Sequence, residues 1–160
     1  MQERKKNNKK SKLLISACLF GENCRYDGLN SSLDKQKLSY LKKRYQLFPF
    51  CPEVQGGLPI PRDPNEIISE SKQLKIQTKE GVDNTIYFVN GARKCLDLVK
   101  KHDIKIALLK SKSPSCGIKK IYDGSFSKKL INKMGVTAQL LKQNDIKLFD
   151  ENEFDILCMR

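Results

Sequence analysis

The chain has 160 residues, 39% of them hydrophobic, with 31 Lys and Arg against 18 Asp and Glu and a formal net charge of +13. That length reads as one domain, long enough to bury a real core, and no apolar stretch approaches the ~20 residues of a membrane span. The basic start is not followed by an apolar segment, so no signal peptide is expected and the protein is expected in the cytoplasm.

Residues 1–12 hold six Lys or Arg and one Glu, supply +5 of the net charge, and read as a disordered basic tail. Residues 13–160 read as the single folded domain and keep +8. A solvated lysine-rich surface or an anionic partner, nucleic acid above all, would each account for that excess.

The apolar run Leu13 to Ala17 reads as a buried strand. Residues 18–30, rich in Gly, Asn and Asp, form a loop. Leu33, Leu38, Leu41 and Tyr45 give a helical spacing between Ser31 and Tyr45. Leu47 to Phe50 is a second short strand, and Pro49 inside it argues for an edge or a terminus. Residues 51–65 hold four of the six prolines and two glycines, which makes a rigid, extended loop suited to holding a ligand. Residues 66–80 read as a short strand or hairpin arm. Thr85 to Lys101 is a helix, with Val89, Ala92, Leu96 and Val99 on one face. Lys105 to Leu109 is a third strand, Ser111 to Ser125 a loop, Val136 to Asn144 a helix and Ile146 to Phe149 a fourth strand. Asp150 or Asn152 would cap a last short helix. Strands alternating with helices predict a Rossmann-like three-layer α/β fold, with a short, mostly parallel sheet of about four strands covered by helices.

The six cysteines, at positions 18, 24, 51, 95, 116 and 158, do not form paired CxxC knuckles. In a reducing compartment, metal or catalytic roles outrank disulfides. Cys18, Cys51 and the loop carrying Cys116 each follow a predicted strand, and ligands of open parallel sheets bind beyond the carboxyl ends of the strands. Three segments therefore deliver one thiol each to the same rim. Three thiolates suit a soft metal, either zinc or an iron–sulfur cluster. Cys24 would be a fourth ligand for zinc but reads first as a structural loop residue. Cys95 reads as a small core residue, Cys158 shows no pattern, and His102 reads as a helix-end residue at the opposite pole. Glu53, two residues past Cys51, is placed to act as a general base or to hold the loop. Ser113 and Ser115 flank Pro114 just before Cys116, and either would orient a substrate or tie the loop. Arg25, Tyr26, Asp27 and Arg62 would shape a pocket or close turns.

Three blocks resemble a known family. They are Ser16 to Gly21 with Arg25-Tyr26-Asp27-Gly28, then FCPEVQGGLPIPR (Phe50 to Arg62), then KSKSPSCG (Lys110 to Gly117) followed by Ile121 to Ser127 and Gly135 to Ala138. Together they resemble the TudS-type thiouracil desulfidases, a family long catalogued only as a domain of unknown function, in its single-domain form. The resemblance runs in order from about residue 13 to 154. It departs at Ile118-Lys119-Lys120, over the lysine-rich residues 128–134, and loosely over 81–90.

The resemblance implies that Cys18, Cys51 and Cys116 bind a [4Fe–4S] cluster with one iron not bound by protein. It also implies that Glu53 is the catalytic acid/base and Ser113 its helper. The implied reaction is non-redox removal of sulfur from a thiolated uracil, as free thiouracil or as thiouridine in RNA such as tRNA, with release of sulfide. Contact with RNA would run through the seven lysines of residues 110–133 and the basic tail. A non-catalytic iron–sulfur or zinc protein that binds nucleic acid is the alternative reading.

Overall fold

Four short strands lie side by side in parallel, each an apolar run that ends where polar residues begin. The computed structural model describes residues 9–160; residues 1–8 of the expected tail lie outside the described residues. Ser11 and Lys12, also assigned to that tail, open the first strand. In chain order, β1 (Ser11–Ser16) runs into one helical turn, α1 (Ala17–Phe20), and α2 (Lys35–Arg44) leads to β2 (Tyr45–Phe50). A second helical turn, α3 (Pro52–Gln55), follows, and then the hairpin strands β3 (Asn65–Ser69) and β4 (Lys75–Thr78). Next come α4 (Thr85–Lys101), β5 (Ile106–Leu109) and the two-residue strands β6 (Ile121–Tyr122) and β7 (Leu130–Ile131). The chain ends with α5 (Val136–Gln143), β8 (Lys147–Asp150), a 3-10 turn (Glu151–Glu153) and α6 (Phe154–Cys158). Asp150 caps that 3-10 turn in a capping box with Glu153.

The main sheet has the order β2-β1-β5-β8, and every neighbouring pair is parallel. Side chains alternate between its faces. Leu13 and Ile15 of β1 pack with Leu41 of α2 and with Phe154 and Leu157 of α6. Leu14 turns to the other face and meets Cys95 and Val99 of α4 and Ala138 and Leu141 of α5. The predicted three-layer α/β fold is the fold observed, and β2, the strand with Pro49, is at the sheet's edge. A smaller cluster of Leu58, Ile67, Ile76, Phe88 and Ile121 seats the two hairpins, β3–β4 and β6–β7. Among the described residues no helix is long and apolar enough to cross a membrane.

Three local expectations change. The buried face of α4 is Phe88, Gly91, Ala92, Cys95 and Val99, one step round from the predicted stripe, because Phe88 must reach the hairpin cluster. The loops 51–65 and 111–125 contain α3 and β6, elements too short to leave a period in the sequence. Residues 66–80 form a complete antiparallel hairpin rather than one arm.

Two features of this fold place the site. The chain leaves β1 for β2 on one side and later adds β5 on the other, so the strand order reverses between β1 and β5. The crevice beyond the carboxyl ends of such strands is where open α/β sheets bind ligands. Then α3 lies directly on α4: a Cβ on Gly91 would sit 1.9 Å from the Pro52 carbonyl oxygen, and one on Gly56 would sit 1.9 Å from the Tyr87 oxygen. Only glycine permits that approach. It sets the position of Cys51 and Glu53.

Candidate active site

The crevice opens into a cavity of about 660 Å³, lined by Cys18, Cys24, Cys51 and Cys116 and by Glu53, Arg62 and Ser115. Cys18 lies inside α1, one residue past the end of β1, and is buried. Cys51 caps the N-terminal end of α3 and is partly exposed. Cys116 is buried in the turn that follows β5. The three predicted segments do meet at one rim.

The Cys116 turn is tied by its serines. The Ser113 hydroxyl accepts from the backbone N–H of Ser115 at 3.1 Å and of Cys116 at 3.0 Å. Ser115, which is buried, donates through its hydroxyl to Oε2 of Glu53 at 3.1 Å, and the two serine hydroxyls lie 3.0 Å apart. Arg62 donates to the other carboxylate oxygen of Glu53 at 3.3 Å and to the Cys24 carbonyl at 3.0 Å. Glu53 is thus held at both oxygens on a helical turn that begins at Cys51. Each oxygen keeps a lone pair for a further proton or water.

Cys24, read from the sequence first as a loop residue, lies in this group. Its thiol is within hydrogen-bonding reach of the Cys18 and Cys51 thiols, and the Cys51 thiol donates to its carbonyl at 3.8 Å. The bond to Cys18 and burial push the Cys24 thiol up to about 11. The bond to Cys24 and burial push Cys51 up, and burial pushes Cys116 up to about 12. Surrounded by protein alone, such thiols stay protonated, and a cationic metal centre is what turns buried thiols into thiolate ligands.

Residues 13–153 match the family model described as 2-thiouracil desulfurase. The chain belongs to the 2-thiouracil desulfurase family. It is 42% identical over 153 residues to an uncharacterized protein of Bacillus subtilis (strain 168), YbbK, covering 91% of this chain and 99% of that one. The solved structure of the [4Fe-4S]-dependent thiouracil desulfidase TudS is 39% identical, with a TM-score of 0.87, over 94% of this chain and 97% of that one.

The donor set of this 2-thiouracil desulfurase family member fits an iron–sulfur cluster. Among the described residues, no three His, Cys, Asp or Glu side chains close around a point that would hold one metal ion. A cluster takes one thiolate on each of several irons and so accepts thiols spread round a rim. His102 ends α4 against the Phe48 ring, at the opposite end of the sheet. Cys95 is on the buried face of α4, where burial pushes its thiol up, and Cys158 is the last residue of α6.

Arg25, Tyr26 and Arg62 line the cavity. Asp27 closes its own turn by accepting from the Leu29 N–H at 3.0 Å and pairs with Arg25 at 3.5 Å. Two polar groups escaped the sequence reading. The Ser16 hydroxyl accepts from the Lys110 N–H at 2.9 Å and ties β1 to the start of the cysteine loop. Glu151 takes Lys110 Nζ and the Ser111 N–H, both at 2.8 Å, and so fastens that loop to the end of β8. Ser16 opens the first family block but carried no role there, Glu151 carried no motif, and contacts spanning 94 and 40 residues leave no local signal.

Proposed function

We propose that the protein hydrolyses the C=S bond of thiolated uracil without net redox change, turning the thiocarbonyl and water into uracil and sulfide. The observation that carries this reading is the meeting of Cys18, Cys51 and Cys116 with Glu53 on one cavity. Those three cysteines would hold a [4Fe–4S] cluster and leave one iron without a protein ligand. When bound, that cluster supplies a soft Lewis acid for the sulfur of the substrate.

The protein's own residues have distinct tasks. Glu53 takes the proton from the attacking water and later returns it. Ser115 and Arg62 hold its carboxylate at the two oxygens. Ser113 keeps Ser115 and Cys116 in register by accepting their N–H groups. Storage of a cluster would need neither the Glu53 carboxylate nor the two groups that hold it.

The cavity is of a size for a single base or nucleoside. Contact with RNA would run through the exposed lysines of residues 110–133 and the basic tail. Reduced thiols and a labile cluster suit a cytoplasmic protein. The test is anaerobic reconstitution, followed by measurement of sulfide and uracil from 2-thiouracil, 4-thiouracil and thiolated tRNA side by side. Stoichiometric sulfide and uracil are expected from a free thiolated base. No sulfide from any substrate at full cluster loading would overturn the reading in favour of a non-catalytic metal protein.

A further inference from the structure

The protein has seven phenylalanines, and six of them pack in or against a core cluster. Phe126 is the exception: it lines the cavity, as Phe50 also does, but without packing in a core cluster, and it stands on the side formed by the two hairpins together with Tyr122, Glu66 and Lys128. Its backbone is in the left-handed region, at φ 56°, as is that of Lys128 at φ 62°. A bulky side chain stays there only when its surroundings over-determine it.

Those surroundings are visible. Oε1 of Glu66 accepts from the N–H of Gly124 at 3.0 Å and of Phe126 at 3.3 Å. Glu66 is buried on β3, and among the described residues no cation pairs with it. Gly124, at φ 92°, lies so close to β3 that a Cβ would sit 2.7 Å from the Ile67 oxygen. Asp123 takes the Ser125 N–H at 2.9 Å and donates its own N–H to the Lys129 carbonyl at 2.9 Å. A buried carboxylate and a strained loop thus hold one aromatic ring out of the core and against the cavity.

We infer that Phe126 is the aromatic platform on which the pyrimidine ring of the substrate stacks, and that Glu66 is a positioning residue acting through the loop 123–129. The inference rests on the desulfidase reading for the identity of the ring. The thiols and Glu53 come from the ends of the main sheet, and the platform comes from the hairpins. A flat ring between them would point its sulfur at the thiol rim while its face rests on Phe126. A pyrimidine always offers a π-face, so the platform serves any thiolated uracil.

The test uses the cluster-loaded protein and its Phe126→Ala, Glu66→Ala, Glu66→Gln and double Phe126→Ala/Glu66→Ala variants. Three readouts are taken: iron content, KM and kcat for thiouracil, and equilibrium dialysis of labelled uracil. Loss of one base–aromatic stack should raise KM and the uracil Kd by roughly 10- to 100-fold, with iron unchanged and kcat within about threefold. Glu66→Ala should give a similar loss. The double variant should be no worse than Phe126→Ala, since Glu66 acts only by placing that ring. Glu66→Gln, whose carbonyl still accepts the loop N–H groups, should recover most of the binding. Parental KM and uracil binding in Phe126→Ala would overturn the inference while leaving the desulfidase reading intact. Additive losses in the double variant would remove Glu66 from the role. If no thiolated base is turned over but Phe126→Ala still weakens uracil binding, the desulfidase reading falls and the platform stands.

Discussion

The hydroxyl of Ser115 meets Oε2 of Glu53 at 3.1 Å, across 62 positions of sequence, and joins the Cys116 turn to the Cys51 turn. One hydrogen bond therefore couples two segments that each bring a thiol to the rim. Glu53→Gln keeps the size and the acceptor but removes the basicity. Iron content should be unchanged and turnover should fall roughly 10²- to 10⁴-fold, the usual contribution of a positioned base. Ser115→Ala should cost about tenfold, because it removes only the orienting bond. Turnover at the parental rate in Glu53→Gln, at equal iron, would reduce Glu53 to a loop residue.

The thiols differ in what their loss should do. Cys18→Ser, Cys51→Ser and Cys116→Ser should each lose the brown colour and most of about four irons after anaerobic preparation. Cys24→Ser should keep the iron, because its thiol touches Cys18 and Cys51 rather than standing on a strand end of its own. Cys95→Ser and Cys158→Ser should also keep it. Iron and sulfide analysis with the visible spectrum decides. A Cys24 variant that loses iron as fully as the Cys51 variant would make Cys24 a ligand.

A change remote from the cavity should reach it through α3. The Cβ of Gly91→Ala would meet the carbonyl oxygen and carbon of Pro52 at 1.9 and 2.6 Å, both backbone atoms with no side-chain freedom to give way. Overpacking of this kind costs about 1–3 kcal/mol. The turn that carries Cys51 and Glu53 must shift, so Tm and iron loading should fall together. Ala92→Gly, one position on, should lower Tm without displacing α3. Full iron loading in Gly91→Ala would show that α3 does not depend on this contact.

Much of the architecture was legible, for a physical reason. Buried parallel strands need unbroken apolar runs, and Leu13 to Ala17 and Lys105 to Leu109 stand out between charged segments. The long helix α4 was readable to its ends because 17 residues give several turns of period. Single-turn α1 and α3 and the two-residue strands β6 and β7 have no period to read. The convergence of Cys18, Cys51 and Cys116 followed from strand ends alone. The choice between Ser113 and Ser115 did not, since two hydroxyls two residues apart are chemically alike and only the folded turn aims one at Glu53. Nor did the place of Cys24 beside Cys18 and Cys51, because a loop carries no rule for where it folds back.

The Glu151 carboxyl should make stability depend on acid pH. Burial pushes it upward, but the hydrogen bonds from Lys110 and Ser111 outweigh burial and hold it below the usual carboxylate range. A carboxyl lowered in the folded state binds fewer protons folded than unfolded. Its stabilisation is therefore complete above the unfolded value, near 4.3, and fades as pH falls through the lower folded value. Glu151→Gln should lower stability at pH 7 by about 2 kcal/mol, as loss of a charged hydrogen bond does. The gap to the parent should narrow between about pH 5 and 3. Urea unfolding across that range is the measurement, and a pH-independent gap would remove the carboxyl from the account.

Salt should separate a small-base enzyme from one that works on RNA. Residues 110–133 carry seven lysines, but Lys110, Lys119 and Lys133 are paired with Glu151, Glu153 and Glu70. Among the described residues Lys112, Lys120, Lys128 and Lys129 have no ion pair, and Lys112 and Lys128 line the cavity. Four phosphate contacts would give a slope of roughly −3 in log K against log salt. Binding of thiolated tRNA should therefore weaken by well over tenfold between about 50 and 200 mM salt. Turnover of free thiouracil, a neutral base, should change less than about twofold over the same range. Replacing Lys120 and Lys129, which among the described residues have no ion pair and do not line the cavity, together by Ala should flatten the tRNA slope by about 1.5 and leave thiouracil turnover near parental. Filter binding and sulfide release, run in the same buffers, read the two quantities. No tRNA binding even at low salt would confine the substrate to free bases and nucleosides and leave the lysines as solvated surface.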